Sequence, residues 1–130
     1  MRRTEFPQGL PTGDAVATSG GRLTARYVIH TVGPVKGMNG PQDPVLLAAC
    51  YTNSLDLAVR LQCRRVALPS ISTGVYGYPK DEAAVVSSAA IAAFLARDRT
   101  LDEVRLVFFS SADAKMFLRH QTFDAHRERR

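Results

Sequence analysis

Leu68-Pro-Ser-Ile-Ser-Thr-Gly-Val-Tyr-Gly-Tyr-Pro79 reads as the end of a buried strand, a loop of small residues and the entry to a helix. Residues 64–68 lead into it with Arg-Arg-Val-Ala-Leu, and the helical pattern begins at Lys80-Asp-Glu-Ala-Ala84. Gly74 and Gly77 permit positive φ and let backbone N–H groups approach a ligand with no Cβ in the way. A strand end that meets a helix N-terminus offers unpaired N–H groups and a positive dipole end to a phosphate. The chain carries neither the G-x-x-x-x-G-K-[ST] loop of Walker-type NTPases nor a G-x-G-x-x-G dinucleotide fingerprint after a strand. By spacing alone two readings stand. The loop holds a phosphate, or its glycines serve only the geometry of a tight strand–helix connection.

Outward from this loop, strands and helices alternate. Ala15–Ser19 is a short strand, Gly20-Gly21 the turn after it, and residues 27–32 a stronger strand rich in β-branched residues, closed by Gly33-Pro34. Residues 36–43 form a polar loop bearing Gly and Pro. Residues 44–62 are amphipathic at helical period, with Leu47, Cys50, Tyr51, Leu55, Ala58 and Leu61 on one face and Asp56 and Arg60 opposite. Pro44 suits the first turn of that helix and Asp43 its N-cap. Residues 66–71 form a buried strand. Residues 81–96 form a second helix, with Asp81 and Glu82 at its positive end and an alanine content that predicts close approach to a sheet. A strand over 103–109 and a helix over 112–119 complete a layered α/β domain without repeats or linkers.

The 130 residues, 45% hydrophobic, suffice for one core. No apolar run approaches the ~20 residues that span a bilayer, and no apolar segment follows Met-Arg-Arg-Thr-Glu, so a cytoplasmic, soluble protein is expected. Cys50 and Cys63 have no second Cys or His at ligand spacing; buried structural thiols are expected, with no metal and no cofactor. The formal charge of +5 favours an anionic ligand. The basic groups Arg2-Arg3, Arg64-Arg65 and 127–130 are scattered, with no aromatic–basic platform, which argues against nucleic acid.

Several blocks in fixed order carry a resemblance. Pro11-Thr-Gly-Asp-Ala-Val16, Gly20-Gly-Arg-Leu23, Ala25-Arg-Tyr-Val-Ile-His-Thr-Val-Gly-Pro34, residues 46–55 and the Ile71-Ser-Thr-Gly-Val-Tyr-Gly-Tyr-Pro79 loop closely resemble the macro domain family. The likeness is strongest to its ADP-ribosyl hydrolase and O-acetyl-ADP-ribose deacetylase branch, and runs from about Gly9 to about Phe117. It implies a three-layer α/β/α sandwich around a mixed sheet, with ADP-ribose in a cleft at the strand ends. Carried over by motif, Ser72, Thr73, Gly74, Val75, Tyr76 and Gly77 form a loop that clamps the diphosphate and distal ribose. Phe109 falls where the family places an aromatic against the ligand; an ordinary core aromatic is the competing reading. Tyr76 and Tyr78 are equally readable as scaffold.

The departures from the family pattern bear on activity. Two opening strands of a complete macro domain have no counterpart here, nor do the Asn-rich and Gly-rich loops that bear on the distal ribose and the reactive water. The chain reads as a single, N-terminally truncated macro domain over residues 1–130. One absent strand belongs between the strands holding His30 and Ser70, and its loss leaves two rows of backbone groups unpaired. The sheet rearranges its order, a second copy completes it as a homo-oligomer, or the chain is a fragment. No catalytic set emerges. His30 reads as a hydrogen-bonded structural histidine, Asp14 as a backbone pin, and Ser70 and Ser72 lack a nucleophile elbow. Two functions therefore stand: an ADP-ribosyl or O-acetyl-ADP-ribose ester hydrolase, or a non-catalytic remnant that binds a phosphate or nucleotide weakly or serves only in assembly.

Overall fold

In the computed structural model, residues 9–74 and 76–123 are described. Strands β1 (Ala15–Ser19) and β2 (Tyr27–Thr31) are followed by a 3-10 turn at Gly40–Gln42 and helix α1 (Asp43–Arg60). Strand β3 (Arg65–Pro69), helix α2 (Lys80–Arg97), strand β4 (Glu103–Val107) and helix α3 (Ser111–His120) complete the order. The alternation expected from the sequence is present, with β4 two residues shorter than its apolar run. Phe108 and Phe109 lie beyond it. Phe108 turns back to pack at a tilt against Phe117 of α3, at 5.1 Å between centroids, whereas Phe109 is fully exposed.

The core is built where the two long helices meet the strands. Leu47, Tyr51 and Leu55 of α1 and Ala83, Ile91 and Phe94 of α2 close around Leu68 and Tyr78. Burial of that apolar surface is the main stabilising term, at roughly 25 cal/mol per Å². The alanines of α2 serve a different contact from the one expected. Ala83, Ala84 and Ala92 are buried, and the principal partners of α2 are α1 and α3 rather than a sheet. Small side chains let the helices approach closely. The buried serines on α2 are satisfied locally. Ser87 Oγ donates to the Ala83 carbonyl at 2.7 Å, and Ser88 Oγ accepts the Thr122 N–H at 3.0 Å, tying the chain after α3 to α2.

Asp43 does not cap α1 from outside, as expected; it is the first residue of the helix. Its carboxylate accepts from the amides of Gly37 at 2.7 Å and Asn39 at 3.2 Å. It is 1% exposed, so it folds the 36–42 loop back onto the helix start. Asn53 does the same for the segment before β1, donating to the Gly13 carbonyl at 2.8 Å.

The strands form two separate pairs. β1 and β2 are antiparallel, with Val16 opposite His30 and Thr18 opposite Val28. β3 and β4 are parallel, with Arg65 opposite Glu103 and Leu68 opposite Leu106. No hydrogen bonds join β2 to β3 among the described residues. The order has not rearranged to close the gap. Instead a slot of about 560 Å³ separates the pairs, walled by all of β2 and all of β3 and floored by Ser54 and Ala58 of α1. No helix of the described residues is long and apolar enough to cross a membrane.

Candidate functional site

The candidate site forms where the chain leaves β2 and β3. A cleft of about 420 Å³ is lined by Thr31, Val32 and Gly33 on one side and by Ile71, Ser72, Gly74 and Tyr76 on the other. Of the loop residues expected from the sequence, Ser72, Gly74 and Tyr76 face it. Thr73 points elsewhere, its hydroxyl 2.8 Å from that of Ser70. Gly77 shapes the bend at φ 74°. Val75 lies outside the described residues. Phe109 does not reach the cleft, and its complete exposure removes the core-aromatic reading.

Two hydrogen bonds set the curvature of the loop. The Tyr78 amide donates to the Ser72 carbonyl at 2.8 Å, and the Gly77 amide to the Gly74 carbonyl at 3.0 Å. The amides of Ser72, Thr73, Gly74 and Tyr76 are engaged by no described residue. A run of N–H groups that no described residue engages, around a concave bend, suits an anion. At Gly74 the space is open, with nothing within 4 Å of where a Cβ would stand, so a ligand can reach the backbone. The first turn of α2 contributes less than expected. It carries Asp81 and Glu82, and the Glu82 amide already donates to the Asp81 carboxylate at 2.8 Å.

The loop is held from beneath by Tyr51, a buried residue of α1. Its hydroxyl accepts the Ile71 N–H at 3.1 Å and lies 3.5 Å from the Pro69 carbonyl. Burial pushes this hydroxyl up to about 12, against the lowering effect of the Ile71 amide. From the side, the Lys36 amide donates to the Tyr76 carbonyl at 3.0 Å. The Lys36 ammonium pairs with Glu82 at 3.1 Å and sits 4.8 Å above the Tyr78 ring. Its hydrogen bond to the Glu82 carboxylate holds the ammonium above its usual value. Tyr78 is thus scaffold, buried in the core, while Tyr76 is 41% exposed at the cleft.

The opposite wall was not assigned to the site from sequence. Gly33 reads there as the end of a strand; in the structure it is buried against the loop. A Cβ at that position would collide with Ser72 Oγ and Ile71 Cγ2. The signal available was a glycine directly after a β-branched run, where backbones approach closely. Ser72 adopts φ 67°, uncommon for a residue with a Cβ, and its buried hydroxyl has no partner among the described residues. Backbone outliers of this kind concentrate at functional sites.

The other sequence candidates are structural. His30 Nε2 lies 2.9 Å from Thr18 Oγ1 across the β1–β2 pair. The carbonyl of Asp14 accepts from Thr31 Oγ1 at 2.6 Å. Cys50 is buried, and its thiol donates to the Val32 carbonyl at 3.3 Å; burial raises its pKa. Cys63 is half-buried, and both thiols are free. Among the described residues, no cluster of His, Cys, Asp or Glu could hold a metal ion.

Comparisons with known proteins agree with this geometry. The family model described as Macro domain matches residues 2–87. A macro domain-containing protein of Streptomyces griseus is 46% identical over 112 residues, covering 85% of this chain and 61% of its own length. The Chlorobaculum tepidum macro domain-containing protein CT2219 is 45% identical over 109 residues, covering 84% and 63%. The chain thus spans less than two thirds of these relatives. Among solved structures, the Oceanobacillus iheyensis macrodomain with ADP superposes at a TM-score of 0.90 with 37% identity, covering 100% of this chain and 67% of that one. The Trypanosoma brucei macrodomain in complex with ADP-ribose gives 0.78 and 35%, covering 85% and 46%. With its layered α/β fold, its loop blocks in order and identity well above 30%, the chain belongs to the macro domain family.

Proposed function

We propose that the chain binds ADP-ribose or a derivative of it, with the pyrophosphate against the amides of residues 72–76. The carrying observation is the bend itself: N–H groups at Ser72, Thr73, Gly74 and Tyr76 that no described residue engages line or adjoin an open cleft of about 420 Å³. That volume is in the range of small-molecule sites, roughly 300–1,000 Å³. Related macrodomains carry ADP and ADP-ribose in their solved structures, which supports the ligand class.

Hydrolysis of ADP-ribosyl or O-acetyl-ADP-ribose esters, the reaction the resemblance implies, rests on positioning a water by two loops. The described cleft residues, Thr31, Val32, Gly33, Ile71, Ser72, Gly74 and Tyr76, include no base poised near neutrality. The 130-residue chain by itself therefore acts as a weak binder, with turnover near background. Calorimetric titration of ADP-ribose separates binding from its absence, and release of ADP-ribose from a mono-ADP-ribosylated protein separates catalyst from binder. Gly74→Glu places a carboxylate against the pyrophosphate in space that is sterically open, and should weaken binding by at least about a hundredfold. Gly74→Ala, whose methyl stands in the same open space without a charge, should weaken binding much less than Gly74→Glu. Equal affinity for the Glu variant would put the nucleotide elsewhere.

A further inference from the structure

The ligand loop is held at its start and at its end by different parts of the chain. At the start, the Tyr51 hydroxyl takes the Ile71 amide. At the end the hold comes from Lys36, which meets the loop twice and the helix after it once. Its amide donates to the Tyr76 carbonyl at 3.0 Å. Its ammonium stands 4.8 Å from the centroid of the Tyr78 ring and pairs at 3.1 Å with Glu82, in the first turn of α2. Lys36 is itself anchored. The Asp43 carboxylate, buried at the start of α1, takes the next amide along, that of Gly37, and also that of Asn39. Movement of the loop's end is therefore resisted by α1 and α2 together.

The Lys36–Glu82 pair does little for folding. Its side chains are 38% and 54% exposed, and ion pairs so exposed contribute little to stability. Its place matters for charge. The amides of residues 72–76 present partial positive charge to an anion, yet the chain that follows carries two carboxylates, Asp81 and Glu82. Like charges oppose a pyrophosphate bound close by. Lys80, adjacent in sequence, is paired with Asp113 of α3. Lys36 is the described cation that offsets Glu82.

We propose that Lys36 is a positioning residue of the nucleotide site. Its ammonium, shared between the Tyr78 ring and the Glu82 carboxylate, fixes the Tyr76–Tyr78 end of the loop and screens the bound pyrophosphate from Glu82. It acts from outside the lining of the cleft, through Tyr78 and Glu82. The screening rests on the ADP-ribose reading above; the fixing of the loop does not.

Amide exchange and affinity report the two effects separately. In the 130-residue protein without nucleotide, Lys36→Met keeps the backbone amide and a stem of similar length but removes the charge. Exchange of the Gly77 and Tyr78 amides, which close the bend onto Gly74 and Ser72, should quicken by about fivefold or more, with the β3–β4 amides unchanged. Unchanged exchange at Gly77 and Tyr78 overturns the fixing of the loop. In calorimetry, Lys36→Met should weaken ADP-ribose binding about tenfold at low salt, and by less at about 1 M NaCl, where screening is nearly complete. Lys36→Arg, which keeps a cation over the ring, should hold both readouts within about threefold of the parent. Lys36→Met combined with Glu82→Gln, which removes the carboxylate left unpaired, should recover most of the lost affinity but not the slow exchange. Unchanged affinity in Lys36→Met, or no recovery in the double variant, overturns the screening. A parent protein that binds no ADP-ribose overturns the screening together with the ADP-ribose reading, and exchange then decides the loop alone.

Discussion

Replacing Tyr51 with Phe isolates a hydroxyl that links helix α1 to the ligand loop. The ring fits unchanged in the core, so the perturbation is the hydroxyl alone. Its loss strands the Ile71 N–H, now bonded at 3.1 Å; the Pro69 carbonyl at 3.5 Å adds little. Leaving one buried amide unsatisfied costs about 1–3 kcal/mol. For a domain of this size that lowers Tm by about 6–12 °C for a 2 kcal/mol loss. A second signature lies at alkaline pH. The folded-state hydroxyl titrates at about 12 against a reference of 10.0, so the unfolded chain loses this proton first. Its contribution is therefore complete below pH 10 and is lost as pH rises to about 12, on the order of 2–3 kcal/mol. Thermal melts followed by circular dichroism at neutral and alkaline pH measure both. The variant should melt lower at neutral pH and lose less stability than the parent above pH 10. Equal melting at neutral pH, or parallel alkaline losses, would show that the hydroxyl does not hold the loop.

Other substitutions probe the walls of the site. Gly33→Ala drives a methyl into Ser72 and Ile71 and should cost about 1–3 kcal/mol, read as a lower melting temperature together with weaker ADP-ribose binding in calorimetry. Asp43→Ala removes the acceptor for the Gly37 and Asn39 amides; stability should fall by about 2–3 kcal/mol, with hydrogen exchange at those two amides accelerated.

Helices and strand cores were legible in the sequence because their periodicities are local. Leu47, Cys50, Tyr51, Leu55 and Ala58 fall on one face of α1 and are all buried. The loop at Ser72–Gly77 was legible from its glycines and small residues. What escaped depends on partners distant in sequence. Gly33 looked like a strand terminator because the residue crowding it, Ser72, lies far along the chain. The α2 alanines indicated close packing but not against what, since a helix and a sheet ask for the same small side chains. Phe109 was placed on its strand by an apolar run that continues past the last paired residue, Val107. Phe108 finds Phe117, and the next side chain in an extended segment then points outward.

The described cleft lining contains no ionised side chain, although the chain as a whole carries +5. On the reading proposed above, recognition there rests on contact with oriented peptide dipoles, whose pull on an anion falls off more steeply with distance than that of an ionised side chain. On that reading, exposed basic residues remote from the loop, Arg60 and Arg105 among them, can be exchanged for solubility or crystallisation without retuning selectivity, whereas Lys36, seated over Tyr78, cannot.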